Sequence, residues 1–374
     1  MKPISSLLIL LLLSALGVQA QDVILGTYTF KDGSRYTGEI RRHKPHGQGR
    51  TEFASGDVYE GEYVKGKRQG HGVYTFKDGE RYEGDWYQDR QHGRGTYYFI
   101  NNNRYEGLWY QDYQHGKGKM YYHTGDIYDG DWVNDKREGQ GTYTWKNGSS
   151  YQGSWKADKK HGQGTFRWND GSRYVGQWEG DVRQGQGTFD YAGGDRYEGQ
   201  WRGDLQHGHG VYTFSTGDRY EGEYVDGERT GKGTYIYANG NRYEGEFKDG
   251  AQHGWGTFTW ANGAVYEGQW VDNQREGQGT YHWGMGDTYE GQWHEGKFNG
   301  QGRLTQVDGT VYEGHFADGL EDGEGVQTYK DGTRFEGSFK QGKKHGPFVE
   351  RDPSGKVVRQ GTYMMGLLKA DGQD

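Results

Sequence analysis

The chain of 374 residues holds 70 Gly, 4 Pro, 13 Trp, 32 Tyr and 14 Phe, and no Cys. Rings make up 16% of it against 30% hydrophobic residues in all, so they stand in for scarce Leu, Ile and Val; such a composition suits turns and pleated surfaces, argues against a helical domain and leaves no disulfide to stabilise it. A formal net charge of −8 argues against nucleic acid or anionic lipid as a bulk electrostatic partner.

Residues 1–20 read as a signal peptide, with Lys2, an apolar stretch from Leu7 to Gly17 and the small-residue site Val18-Gln19-Ala20. That stretch falls short of the ~20 residues that cross a bilayer. Cleavage is expected after Ala20, giving an exported chain, periplasmic or secreted. Loss of Lys2 from the 45 basic residues leaves 44 against 53 acidic ones, a net of −9. Residues 21–25 form a short lead-in.

An array follows over residues 26–341. Tyr-x-Gly begins at Tyr36 and recurs every 23 residues to Tyr312, with Phe335 in the same phase, fourteen copies without an insertion. Eleven residues after each ring comes Gly-x-Gly, first at Gly47 and Gly49, and three residues before it comes Gly, replaced once by Asn102. Asn is the residue that next best tolerates positive φ, so the exception itself points to a left-handed turn. One unit is read as Gly26–Phe30, a turn over Lys31–Ser34, a strand over Arg35–Ile40 and a loop from Arg41 to Gln48. Period-two alternation puts Gly26, Tyr28, Phe30, Tyr36, Gly38 and Ile40 on one face and Thr27, Thr29, Arg35, Thr37 and Glu39 on the other.

The expected class is all-β: an elongated, single-layer, twisted antiparallel sheet of stacked β-hairpin repeats. With two strands per repeat at ~4.8 Å each, fourteen repeats would extend ~130 Å. Phe348 stands where the second Gly of the last copy belongs, and Gln360-Gly361-Thr362-Tyr363 echoes the motif out of phase. Residues 342–374 are therefore read as a degenerate cap and tail.

The units Tyr82-Glu83-Gly84-Asp85-Trp86, Tyr197-Glu198-Gly199-Gln200-Trp201 and Tyr266-Glu267-Gly268-Gln269-Trp270, each followed by His-Gly-x-Gly or its equivalent, resemble MORN repeats over residues 26–347. The resemblance implies that family's stacked-hairpin sheet. It also implies either a role at membranes, as in the arrays that accompany phosphatidylinositol phosphate kinases and junctophilins, or a platform for protein contacts and self-association.

No catalytic, cofactor or metal site is expected. His46, His92, His115, His161, His207, His253 and His345 share one phase, but equivalent positions ~10 Å apart cannot bring ligands within ~2 Å of one metal ion. The same spacing separates Glu60, Glu83 and Glu106, and glycosidic carboxylate pairs need ~5–9.5 Å and a cleft. Gly-x-Gly here precedes no helix that could hold a phosphate.

The reading that remains is a non-enzymatic scaffold that binds a protein partner, or a second copy of itself, through its rings. Tyr82, Trp86, Tyr105, Trp109, Tyr128, Trp132, Tyr151, Trp155, Tyr174, Trp178, Tyr197 and Trp201 are chosen because all six of their repeats end in Trp, the residue most enriched at hot spots. A competing reading has the loops fold over these rings and bury them as core. The alternatives in function are stacking of the rings on a glycan or cell wall, and membrane lipid contact through basic loops such as Arg41-Arg42-His43-Lys44; the net charge counts against the second.

Overall fold

The protein is described by a computed structural model over residues 23–369. The signal peptide and cleavage site expected from the sequence lie outside the described residues. Two units make up the chain, residues 1–146 and 147–374. The first carries antiparallel strands from β1 (Ile24–Thr29), β2 (Arg35–Arg41), β3 (Lys44–Glu52) and β4 (Val58–Val64), through β6 (Arg81–Tyr87), β7 (Arg90–Tyr98) and β8 (Arg104–Tyr110), to β11 (Lys136–Thr144). The second runs from β12 (Ser150–Lys156) to β28 (Arg334–Lys340), β29 (Lys343–Arg351), β30 (Val357–Met364) and β31 (Leu367–Leu368). Among the described residues there is no helix, and within each unit the strands pair in chain order as a meander.

From β2 to β29 the strands alternate between seven and nine residues. The seven-residue strands begin with the Tyr-x-Gly signature, and the expected hairpin turn precedes each of them. Phe30 donates its N–H to the Ser34 carbonyl at 2.9 Å across a three-residue turn, Gly33 has φ 89°, and Asn102, at the equivalent place, has φ 64°.

The loop expected from Arg41 to Gln48 is not there. Arg42 and His43 (φ 51° and 61°) form a two-residue turn, and β3 already begins at Lys44. In this repeat the left-handed turn has no Gly, but elsewhere the same turn carries one, as at Asp226-Gly227, Asp249-Gly250 and Asp318-Gly319, a hairpin signal that the reading of this stretch as loop passed over. In several repeats an acidic side chain supports the strained turn: Asp89 (φ 71°) accepts the Arg68 N–H at 2.8 Å, and Asp112 (φ 73°) accepts that of Gln91 at 2.8 Å.

The nine-residue strands are longer because they bulge. β6 and β7 pair Gly84 with Gly95 and then Trp86 with Gln91, so His92, Gly93 and Arg94 lie opposite Asp85 alone. The two glycines of Gly-x-Gly thus have different duties. Gly93, with φ 62°, makes the bulge. Gly95 is in ordinary extended backbone and is needed for space: a Cβ on it would lie 2.5 Å from Cε2 and Cζ of Tyr82.

Glycines of this second kind face one another across the strands, Gly84 opposite Gly95, Gly95 opposite Gly107 and Gly107 opposite Gly118, as a bare track across the sheet. Each signature Tyr lies down on that track. Its hydroxyl donates to the main-chain carbonyl three residues on, from Tyr82 to Asp85 at 2.9 Å, Tyr105 to Leu108 at 3.0 Å and Tyr266 to Gln269 at 2.9 Å. In the last full repeat the hydroxyl and the glycine are lost together. Phe335 stacks on Phe348 with ring centroids 5.2 Å apart and planes 19° apart, while Gly346 keeps its bulge conformation at φ 81°.

These two roles predict different costs. Gly148→Ala meets no atom within 4 Å and suffers only its φ of 91°, so urea unfolding should show a loss of about 1–2 kcal/mol. Gly95→Ala, with ordinary φ, should lose about 3 kcal/mol or more because the Tyr82 ring must move. Equal losses would contradict the assignment.

Candidate functional site

The face carrying the tyrosines is built in two levels. The inner level is the signature Tyr and the aromatic residue four positions on. Trp86 meets Tyr82 edge-on at 5.2 Å and 88°, and the preceding repeat's Tyr59 at 5.3 Å and 83°. Trp109 sits the same way between Tyr105 and Tyr82, and Trp201 between Tyr197 and Tyr174. Edge-to-face contact suits the ring quadrupoles. Each indole also anchors to the track: Trp86 donates Nε1–H to the Gly72 carbonyl at 3.2 Å, Trp132 to Gly118 at 3.0 Å and Trp270 to Gly256 at 3.1 Å.

All twelve residues singled out by sequence belong to this inner level. Tyr82, Trp86, Tyr105, Trp109, Tyr128 and Trp132 are in the first unit, and Tyr151, Trp155, Tyr174, Trp178, Tyr197 and Trp201 in the second. The tyrosines are 0% exposed and the tryptophans 3–6%. They are core, and a partner approaching this face meets other side chains. Among the described residues no loop covers them. At the second residue of several bulged strands a cation lies over the rings: Arg68 is 4.2 Å from the Trp86 centroid, Lys160 4.4 Å from Trp178 and Arg183 4.3 Å from Trp201, while other bulged strands carry a buried Gln at that place, as at Gln91 and Gln114. Arg183 is held there by Asp204, through Nε to Oδ1 at 2.9 Å and Nη2 to the carbonyl at 2.8 Å.

The outer level consists of rings fifteen and seventeen residues after each signature Tyr, and these are mostly half-exposed. In the first unit Tyr74 touches Phe76 (4.6 Å), Phe76 touches Tyr97 (5.9 Å) and Tyr97 touches Phe99 (4.5 Å). In the second, ring contacts continue unbroken from Phe166 and Trp168 through Tyr191, Phe214 and Tyr237 to Trp260 and Trp283. Several outer tyrosines are fixed by a carboxylate from the preceding turn. Tyr74 donates to Asp57 at 2.8 Å, Tyr212 to Asp195 at 2.7 Å and Tyr235 to Asp218 at 2.9 Å. Sequence reasoning put Tyr28 and Phe30, the first members of these rows, on the correct face and then passed the rows over. Their recurrence in nearly every repeat was the signal.

The opposite face carries Arg81 with Glu83 (2.7 Å), Arg104 with Glu106 (2.9 Å) and Arg219 with Glu221 (2.7 Å), pairs of small energetic weight on a wet surface. Among the described residues no three His, Cys, Asp or Glu side chains are grouped so as to hold a metal ion.

A meander of bulged hairpins, with tyrosines seated on a glycine track, defines a stacked-hairpin repeat protein. The MORN repeat model matches it over residues 25–35 and then in fourteen consecutive segments from 36–58 to 335–356, and the chain belongs to that family. No curated protein matches it. Among solved structures, the chain is similar to the TCP domain of SAS-4 of Drosophila melanogaster in complex with a proline-rich motif of Ana2 (13% identity, 40% of this chain and 82% of that one, TM-score 0.27). It is also similar to the TCP10 domain of Danio rerio CPAP in complex with a STIL peptide (12% identity, 65% and 92%, TM-score 0.25). At these TM-scores neither neighbour bears on the fold or function of this chain.

The buried tyrosines set an alkaline limit. Burial is the first cause in each case and holds their hydroxyls protonated: Tyr36 and Tyr220 are pushed up to about 12 from 10.0, and Tyr82, Tyr105 and Tyr266 are raised further. A folded-state value above the unfolded one means that the unfolded chain releases protons first, so stability should be full below about pH 10 and fall as pH rises through 10 to 12. Melting temperature against pH, read with tyrosinate absorbance, should show ionisation of these rings only together with unfolding. Their ionisation in a chain that stays folded would contradict their burial.

Proposed function

We propose that the chain is a repeat scaffold that docks a protein partner along the outer ring rows, the buried Tyr and Trp ladder serving to hold those rows in place. The observation that carries this reading is the run of rings in mutual contact from Phe166 to Trp283, half-buried except for the buried Phe189. Apolar surface of that kind marks an interaction site, and rings already fixed by neighbours and carboxylates lose little freedom on binding. The partner chemistry that fits is an extended segment with apolar side chains at intervals and an acidic group able to meet the flanking cation Arg229, which lies 5.5 Å from the Tyr235 ring centroid. The signal-like amino terminus supports a location outside the cytoplasm, where such a partner would be met.

The test compares Trp168→Ala with Trp260→Ala, as one double variant, against Glu198→Ala with Glu221→Ala on the opposite face. Each is presented with envelope proteins, isolated cell wall and anionic vesicles. The reading expects a protein ligand whose binding falls about tenfold or more in the Trp variant and is unchanged in the Glu variant. Loss of cell-wall binding alone would make the rings a glycan platform. Loss in the Glu variant alone would move the site to the charged face.

A further inference from the structure

In an array of repeats, whatever recurs belongs to the stack, and whatever occurs in one place answers another need. The charged face breaks its pattern in one place. Counted from each signature ring, Tyr occurs five residues on only at Tyr87 and Tyr110, eight residues on only at Tyr113, and sixteen residues on only at Tyr98 and Tyr121. Three residues after the ring, Leu occurs only at Leu108. All six lie in two adjacent repeats, 82–104 and 105–127. The fold does not call for them, since the flanking repeats carry Val64 and Val133, Thr75 and Thr144, or Asp131 at the same positions.

These residues share the face of Arg81 and Glu83. Tyr98 lies opposite Arg81 and Arg104, Leu108 opposite Arg94, and Tyr110 opposite Tyr113. Tyr87, Tyr110 and Tyr113 are 49–51% exposed, and Tyr98 and Leu108 38%. A cleft of about 690 Å³ runs across the strands here, lined by Leu108, Thr96 and the backbone of Gly84, Gly95, Gly107 and Gly118. By alternation Tyr87 and Tyr110 border it at one end of the strands, two residues beyond Asp85 and Leu108, and Tyr98 and Tyr121 border it at the other.

The rings are fixed in advance. His92 stands between Tyr87 and Tyr110, with centroids 5.6 Å and 5.4 Å away, and His115 continues the row 5.7 Å beyond Tyr110. On the other side Arg81 lies 5.4 Å from the Tyr98 centroid and Arg104 4.3 Å from that of Tyr121. Between the rows the charges balance: Asp85, Glu106 and Asp129 line the cleft together with Arg94, Lys117 and Lys119, and Glu83 is met by Arg81 at 2.7 Å.

We propose that this cleft binds an oligosaccharide, with Tyr87 and Tyr110 as the rings on which its sugars stack. A balanced lining favours an uncharged ligand, and the exposed rings favour one with flat apolar C–H faces. Sugar hydroxyls can donate to the carboxylates and accept from the cations, so no lining charge is left without a partner. A protein surface fits less well, because interface cores are depleted of charge and apolar side chains entering here would strip these groups of water. Equivalent rings one repeat apart are ~10 Å from each other, so the ligand has to be a chain of sugars laid across the strands. The site lies on the face away from the outer ring rows and does not rest on the docking reading above.

The neighbouring repeats supply the variants. Tyr87→Val with Tyr110→Val copies Val64 and Val133, and Leu108→Asp copies Asp85 and Asp131. Both should unfold in urea together with the wild type. The probes are hexasaccharides of chitin, cellulose, xylan and mannan, and soluble peptidoglycan fragments, titrated calorimetrically into protein purified from cells expressing the full chain. At least one should bind the wild type, and its binding should weaken about tenfold or more in the tyrosine variant and in Leu108→Asp. Val225→Ala with Val271→Ala, at the Tyr87 position of later repeats, should bind as the wild type does. Should the tyrosine variant lose stability, Leu108→Asp decides in its place. A wild type that binds none of the probes would overturn the proposal, and so would binding that both variants keep. A protein ligand lost from the tyrosine variant, with no sugar bound, would overturn it in favour of a second protein site. The ring-row reading stands or falls separately, on the protein ligands of the Trp168→Ala and Trp260→Ala variant.

Discussion

A tyrosine ring lying flat on two glycines is the contact from which the rest of this structure follows. The ring covers backbone that no side chain could share: Cβ atoms placed on Gly107 would come within 2.5 Å of the Tyr105 hydroxyl, and on Gly95 within 2.5 Å of the Tyr82 ring. Seated so, the hydroxyl reaches a main-chain carbonyl and the ring edge is left for the Trp of its own repeat and the Trp of the next. The ladder therefore needs a Gly on both strands under each Tyr, and a fixed distance from one Tyr to the next. An insertion would shift one glycine off the track and, since side chains alternate across a strand, would also exchange the two faces. This is a physical reason for an interval of 23 residues that never varies from Tyr36 to Phe335. The loss of the Tyr hydroxyl at Phe335 and of the glycine at Phe348 in the same repeat shows both halves of the contact released together, where stacking of two phenyl rings replaces it.

Function follows from what that contact leaves outside. A sheet one layer thick ordinarily needs a second layer to cover its apolar face. Here the ladder is covered instead by the long side chains of the bulged strands, cations above all, lying over Trp86, Trp178, Trp201 and Trp293. The cover ends there, and the outer rings stay partly in water. They are rigid because Asp57, Asp126, Asp195 and Asp218 hold the hydroxyls of Tyr74, Tyr143, Tyr212 and Tyr235. A surface that repeats once per hairpin, apolar and fixed in advance, suits a long partner with a matching repeat better than a small ligand with one pocket.

The sequence revealed the phase, the faces and the turn conformation, and in the case of Asn102 it did so through an exception. These were legible because each depends on residues close in the chain. The bulge was not. His92-Gly93-Arg94 reads as loop in any local window, and only its neighbours across the sheet make it strand: both ends of β7 pair with β6, and Gly93 and Arg94 pair with Trp109 and Leu108 of β8. The burial of the twelve rings escaped for a related reason: Trp109 is enclosed by Tyr82 of the preceding repeat as much as by its own Tyr105, and contacts between repeats have no local signature. Choosing sites by the presence of Trp therefore selected the best-packed positions in the molecule, while Phe76, Trp168 and Trp260 went unchosen.

The account rests on the coupling between a signature tyrosine and its track glycine, and a double-mutant cycle on Tyr105 and Gly118 measures it. Urea unfolding of the wild type, Tyr105→Ala, Gly118→Ala and the double variant gives the four free energies. The prediction is strong non-additivity: Gly118→Ala is severe beneath the Tyr105 ring, where its Cβ would fall 2.5 Å from Cε2, and close to harmless once the ring has been removed. Costs that simply add would mean that the glycine is required for some other reason and that the seat is not what orders the array.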